Sequence, residues 1–153
     1  MRERRIARRL ALDVLYEAEI RDRLPAEALT ARGSDGWVVA GPEDESSPTS
    51  AADQPPEVLE YARALVEGVQ EHQAAIDELI VRYADRWAIT RMPVIDRTLL
   101  RLALFELLWR EDIPVPVAIN EAVELGKSLS TEDSGRFING LLGRVVEAER
   151  GTV

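Results

Sequence analysis

Apolar residues along this chain recur with the spacing of helices, and no stretch alternates long enough to make a strand. Over residues 3 to about 23, Ile6, Leu10, Val14 and Ala18 repeat at every fourth position, and Ala7, Ala11 and Leu15 broaden the same face. Pro25 closes this segment. Helical pattern resumes at Glu57, where Val58, Ala62, Leu65 and Val69 form one stripe and Ile76, Leu79, Ile80 and Tyr83 the next. Pro93 is placed as a first-turn proline for a helix through Trp109. That helix is apolar nearly all round, with only Arg101 and Glu106 charged between positions 98 and 109, so it belongs at the centre of a bundle. A connector at 112–116 leads to a helix over 117–128. The last helix opens at Ser130 or Thr131, with Ser130 and Asp133 at capping-box spacing, and buries Ile138, Leu141, Leu142 and Val145.

Residues 31–56 break this order. Gly33, Gly36, Gly41, Pro42, Pro48, Pro55 and Pro56 punctuate them, with Glu43, Asp44 and Glu45 between, so they read as one long loop. Trp37, Val38 and Val39 form an apolar island in it, expected to dock on the local core. The pattern thus predicts an all-α helical bundle, one domain over 1–153. Its N-terminal helices cover about 3–84 around the 31–56 loop, and its C-terminal helices cover about 93–148.

Composition changes the picture in three places. With 153 residues and 46% apolar side chains, the chain can bury a substantial core. It has no cysteine, which removes disulfides and thiolate metal sites. Its apolar runs fall well short of the roughly 20 residues that span a bilayer, so a cytoplasmic protein with no membrane partner is expected. Net charge is −9, but the first ten residues alone carry +4, leaving −13 for the rest. An acidic body repels phosphate; a local basic end can still bind it.

Catalytic equipment is scarce. His72 is the sole histidine and is expected on a solvated helix surface rather than as a general base. No nucleophile-elbow, phosphate-loop or dinucleotide glycine pattern occurs, so neither an enzyme nor a cofactor or metal is expected. The N-terminal helix carries more. At 100° per residue, Arg5, Arg9, Leu12 and Tyr16 fall within about 60° of one another, opposite the apolar stripe, with Arg4 and Arg8 to one side of it. Forked guanidinium donors match phosphate oxygens, and a neighbouring aromatic ring gives an unstacked base a surface to lie on. The plainer alternative is a solvated charged face with Tyr16 packed on a neighbouring helix. Three or four such phosphate contacts would give a salt slope of only about −2 to −3, so a partner with further RNA contacts is expected. In the last helix, Phe137 lies on the shoulder of the buried face, with Asp133 and Arg136 beyond it.

These residues resemble a known family. The run I-P-V-P-V-A-I-N-E-A-V-E-L-G-K-S at 113–128, followed by T-E-D-S-G-R-F-I-N-G-L-L at 131–142, is similar to the signature of the NusB family of transcription antitermination factors. R-T-L-L-R-L-A-L-F-E-L at 97–107 agrees in kind and spacing, and R-R-x-A-R-x-x-A-L-x-x-L-Y at 4–16 resembles the family's arginine-rich RNA-binding motif. The resemblance implies a NusB-like bundle of two small helical subdomains with about six or seven helices. It implies binding of single-stranded boxA RNA in ribosomal RNA transcripts together with NusE, a ribosomal protein, in an antitermination complex with RNA polymerase. The implied RNA contacts are Arg4, Arg5, Arg8 and Tyr16, with Asp133, Arg136 and Phe137 near the same surface; Asp96 is implied to face NusE. Arg9 stands where some members carry an acid and joins the basic end as a further candidate. The 31–56 loop is longer than the family leads one to expect. The sequence is compatible with either a monomer or a homodimer. The nearest rival is the NusB-like domain that precedes certain ribosomal RNA methyltransferases, a binding module without catalysis of its own.

Overall fold

Six α-helices and one short strand pair make up the described residues, 2–35, 38–39, 49–50, 54–85 and 87–150 of a computed structural model. In chain order these are α1 (Arg2–Ile20), α2 (Pro25–Asp35), β1 (Val38–Val39), β2 (Thr49–Ser50), α3 (Pro56–Tyr83), α4 (Val94–Trp109), α5 (Val115–Leu129) and α6 (Glu132–Glu149). A 3-10 turn at Ile89–Arg91 precedes α4. The all-α class agrees with the apolar pattern, and the six described helices agree with the six or seven that the resemblance implies. Contacts gather into two units, Met1–Gln70 and Glu71–Val153. Their division falls inside α3, whereas the pattern put it in the connector after residue 84. Periodicity marks α3 as one helix and is silent on which neighbours each half packs against.

In the first unit, α1 buries Ile6, Leu10, Val14 and Ala18 with Ala7, Ala11 and Leu15, as its spacing predicts. Leu12 is also buried, at 3% exposure, although it lies away from that stripe. Helix α2 is an element that the apolar spacing does not predict. Pro25, which the pattern places as the end of the first segment, opens α2, where its fixed φ suits the first turn and its missing N–H leaves nothing unsatisfied. The amides of Glu27 and Ala28 donate to the carbonyl of Leu24, and the Ala26 amide donates to Gln70 Oε1 at 2.7 Å. Helix α2 packs on α1 and runs through Asp35, into the stretch read as loop. Within the rest of that stretch, β1 and β2 pair antiparallel with Val38 opposite Ser50 and Val39 opposite Thr49, and β1 lies against α1. Two residues are too few for alternation to register. The island's Trp37 and the acidic run at 43–45 lie outside the described residues.

In the second unit, every residue of α4 from Thr98 to Leu107 is buried, and α4 packs on α5 and α6. Its charged Arg101 is held by Asp77 of α3 through two bonds, Nε to Oδ1 at 2.8 Å and Nη2 to Oδ2 at 3.0 Å. Helices α5 and α6 approach closely at two glycines. A Cβ on Gly126 would stand 2.9 Å from Ile138 Cδ1, and one on Gly135 would stand 2.7 Å from Lys127 Cγ. Tyr83 Oη donates to Glu149 Oε2 at 2.7 Å, and Arg144 Nη2 donates to the Tyr83 carbonyl at 2.8 Å, which ties the end of α3 to α6. Among the described residues, no helix is long and apolar enough to cross a membrane.

Candidate nucleic-acid interface

Five arginines within nine residues read as a cationic tip, but the four whose side chains are described, Arg4, Arg5, Arg8 and Arg9, differ in exposure. Helix α1 is covered over most of its circumference, so only a narrow stripe reaches solvent. Arg5 lies on that stripe and is exposed, as is Tyr16 at 37%. Arg4 is half-buried, its guanidinium carbon 3.9 Å from the ring centroid of Tyr61 on α3, a cation–π contact that holds the start of α1. Arg8 is buried, at 4% exposure, and interacts within the chain. In this conformation its side chain is turned away from solvent. The helical wheel put Arg4 and Arg8 beside the apolar stripe; α1 turned out to be enclosed on that side too.

Arg9 is half-buried. Burial lowers its pKa, against the pull of Asp13 one turn on. Asp13 is itself claimed by α2: Arg32 Nη1 stands 2.6 Å from Asp13 Oδ2, and Arg32 Nη2 stands 2.8 Å from Glu17 Oε1. Burial raises the Asp13 carboxyl above the usual aspartate range, with the charge of Glu17 pushing the same way and Arg32 and Arg9 opposing. Arg32 therefore neutralises two acids on the helix that carries Arg5 and Tyr16. Sequence reasoning missed this residue because its segment read as loop. The signal available was the helix-forming run P-A-E-A-L-T-A-R behind a first-turn proline.

The other candidates sit on the first turns of α6, in the second unit. Thr131 caps this helix: its Oγ1 accepts from the Ser134 amide at 2.9 Å. Ser130 belongs to the end of α5, so the capping box expected from Ser130 and Asp133 is shifted by one residue. Asp133 is released from capping and pairs with Arg136, both side chains well exposed. Phe137 is half-buried and meets Trp87 edge to face, with centroids 4.5 Å apart and planes at 71°. Trp87 had not been singled out, since an aromatic in an interhelical connector has no periodic signal.

Asp96 does not face outward. It is fully buried, at 0% exposure, and its Oδ2 accepts from Ser134 Oγ at 2.7 Å. Ser134 Oγ also lies 3.0 Å from Thr131 Oγ1 and 3.0 Å from Ser130 Oγ. Asp96 thus fastens the start of α6 from beneath and presents no surface to a partner in this conformation. His72 departs from expectation as well: it is stacked on Trp109 at 4.4 Å and 20°, with Phe105 behind at 6.0 Å, and is not a freely solvated side chain. Among the described residues, no cluster of three histidine, aspartate or glutamate side chains could hold a metal ion.

Comparison with known proteins now decides the family. The model of the NusB family matches residues 5–147. The chain belongs to the NusB family. A transcription antitermination protein NusB from Salinispora arenicola is 48% identical over 148 residues, covering 96% of this chain and 97% of that protein. The solved NusB of T. maritima is 34% identical with a TM-score of 0.77, covering 95% of this chain and 91% of that one. A crystal structure of antitermination factors NusB and NusE in complex with double-stranded RNA matches with a TM-score of 0.78 at 26% identity, covering 97% and 98%. NusB membership makes this chain a non-catalytic transcription antitermination factor, which removes the enzyme reading.

Proposed function

We propose that this NusB-family chain binds single-stranded boxA-type RNA of ribosomal RNA transcripts jointly with the ribosomal protein NusE, in the cytoplasm, as part of an antitermination complex on RNA polymerase. The observation that carries the reading is the exposed stripe of α1, where Arg5 and, three turns on, Tyr16 lie on one face of a helix whose other faces are largely buried. A guanidinium supplies a phosphate clamp and a phenol ring supplies a stacking face, the pairing that suits an unpaired strand. Arg4 and Arg9 add partial access, and Arg136 and Phe137 repeat the combination on α6. Arg8 and Asp96 act from inside the fold, as supports. The family likeness to a NusB–NusE–RNA assembly adds the partner.

With at most about three arginines of α1 within reach of phosphate, the salt slope for a single strand is about −2. So small an electrostatic contribution on a protein of net charge −9 calls for help from NusE. Titration of a labelled boxA-type strand with and without NusE, at two salt concentrations, tests this. Expected are weak binding alone, tighter binding with NusE and the shallow slope. Preference for the matching RNA duplex, or affinity indifferent to NusE, would overturn it.

A further inference from the structure

We propose that Trp87 is an RNA-contacting residue, forming with Phe137 an aromatic corner that takes one unstacked base of the bound strand. The inference rests on the RNA reading above and adds to it a residue on a different segment, the connector between α3 and α4. That connector is built to hold a side chain still. Helix α3 ends where the Ala84 amide donates to the Ile80 carbonyl at 2.8 Å, and Asp85 then takes a left-handed φ of 62°. This reverses the chain, and the Trp87 amide donates to the Ala84 carbonyl at 3.2 Å. Further on, Arg97 Nη1 from α4 donates to the carbonyls of Met92 at 3.1 Å and Ile89 at 3.4 Å, and Met92 is buried beneath. Trp87 therefore projects from a segment pinned at both ends, and a fixed ring loses little freedom on binding.

Its ring stands edge to face with Phe137, and both residues remain partly open to solvent. In such a pair the partner's edge covers one ring face, and the partial exposure of both residues is the room offered to a third ring. Arg136 precedes Phe137 on the exposed side of α6, where its guanidinium pairs with Asp133, so a cation lies on the same turn as the corner. The start of α6 is fixed by Thr131, Ser134 and Asp96, so both walls of the corner are supported.

The test uses Trp87 as its own reporter. The chain has three tryptophans, so Trp37→Phe with Trp109→Phe leaves Trp87 as the only indole. Expected is quenching of Trp87 emission as unlabelled boxA-type strand is added with NusE present, saturating at the affinity that a labelled strand reports by anisotropy. Trp87→Ala should weaken binding roughly 5- to 150-fold, the range for loss of one stacked base, while Trp87→Phe stays within about 3-fold of the parent. A labelled strand that binds normally while Trp87 emission is unchanged overturns the proposal. So does parental affinity in Trp87→Ala. If Trp87→Ala does not fold, the emission titration decides. Absence of RNA binding by the parent, with NusE present, defeats the RNA reading itself, and the anisotropy arm reports that separately.

Discussion

The two groups of candidate contacts, on α1 and on α6, are opposites in construction. Helix α1 has the richer sequence, with five arginines among its first residues, yet it is enclosed so thoroughly that Arg8 is buried and Arg4 and Arg9 are half-buried. Helix α6 offers one candidate arginine, Arg136, and one phenylalanine. It displays its first turns openly and supports them from below through Thr131, Ser134, Asp96 and the close glycine crossing with α5. Counting cations along a sequence therefore overstates a charged surface: a guanidinium can also serve as packing, through its stem and its flat face.

The comparison can be broken at three levels. The frame beneath α6 comes first. Leu104 of α4 is fully buried, and Leu104→Ala should cost about 2–5 kcal/mol by denaturant melt. A near-neutral result would mean that α4 is not the central helix of its unit. Next is the support itself. Ser134→Ala removes the hydroxyl that Asp96 accepts from and leaves a buried carboxylate oxygen unserved, at about 1–3 kcal/mol. RNA affinity should fall with it, because the turn bearing Arg136 and Phe137 loosens; unchanged melting and binding would show that α6 needs no anchor. The smallest effects separate the arginines of α1. Arg8→Ala should lower stability by about 1–3 kcal/mol, as loss of a buried interacting group. Arg5→Ala should move stability by no more than about 0.5 kcal/mol while making the salt slope shallower by about 0.7. If instead both variants melt like the parent and lose affinity equally, Arg8 reaches the RNA after all.

Much of the fold was legible. Helical apolar spacing located α1, α3 and α6, the connector at 112–116 placed α5, and the apolar run located α4, since burial on one face or all round leaves a periodic mark. Helix α2 was not legible, because Pro25 is as good a first residue as it is a terminator. Neither were the paired strands, two residues each. For the candidate site, residue types were legible and exposure was not. Arg5, Tyr16, Arg136 and Phe137 stand where contacts are available. Arg8 and Asp96 turned inward, and Trp87 went unnoticed.

By itself, then, the sequence determined the helical class, the apolar faces and the family, because each is written in local spacing or in a contiguous run of residue types. Tertiary packing alone decided which polar groups keep their water. Whether an arginine or aspartate is exposed depends on what other segments lay over it, here Tyr61 of α3 on Arg4 and Ser134 of α6 on Asp96, and no pattern within a single helix encodes its neighbours.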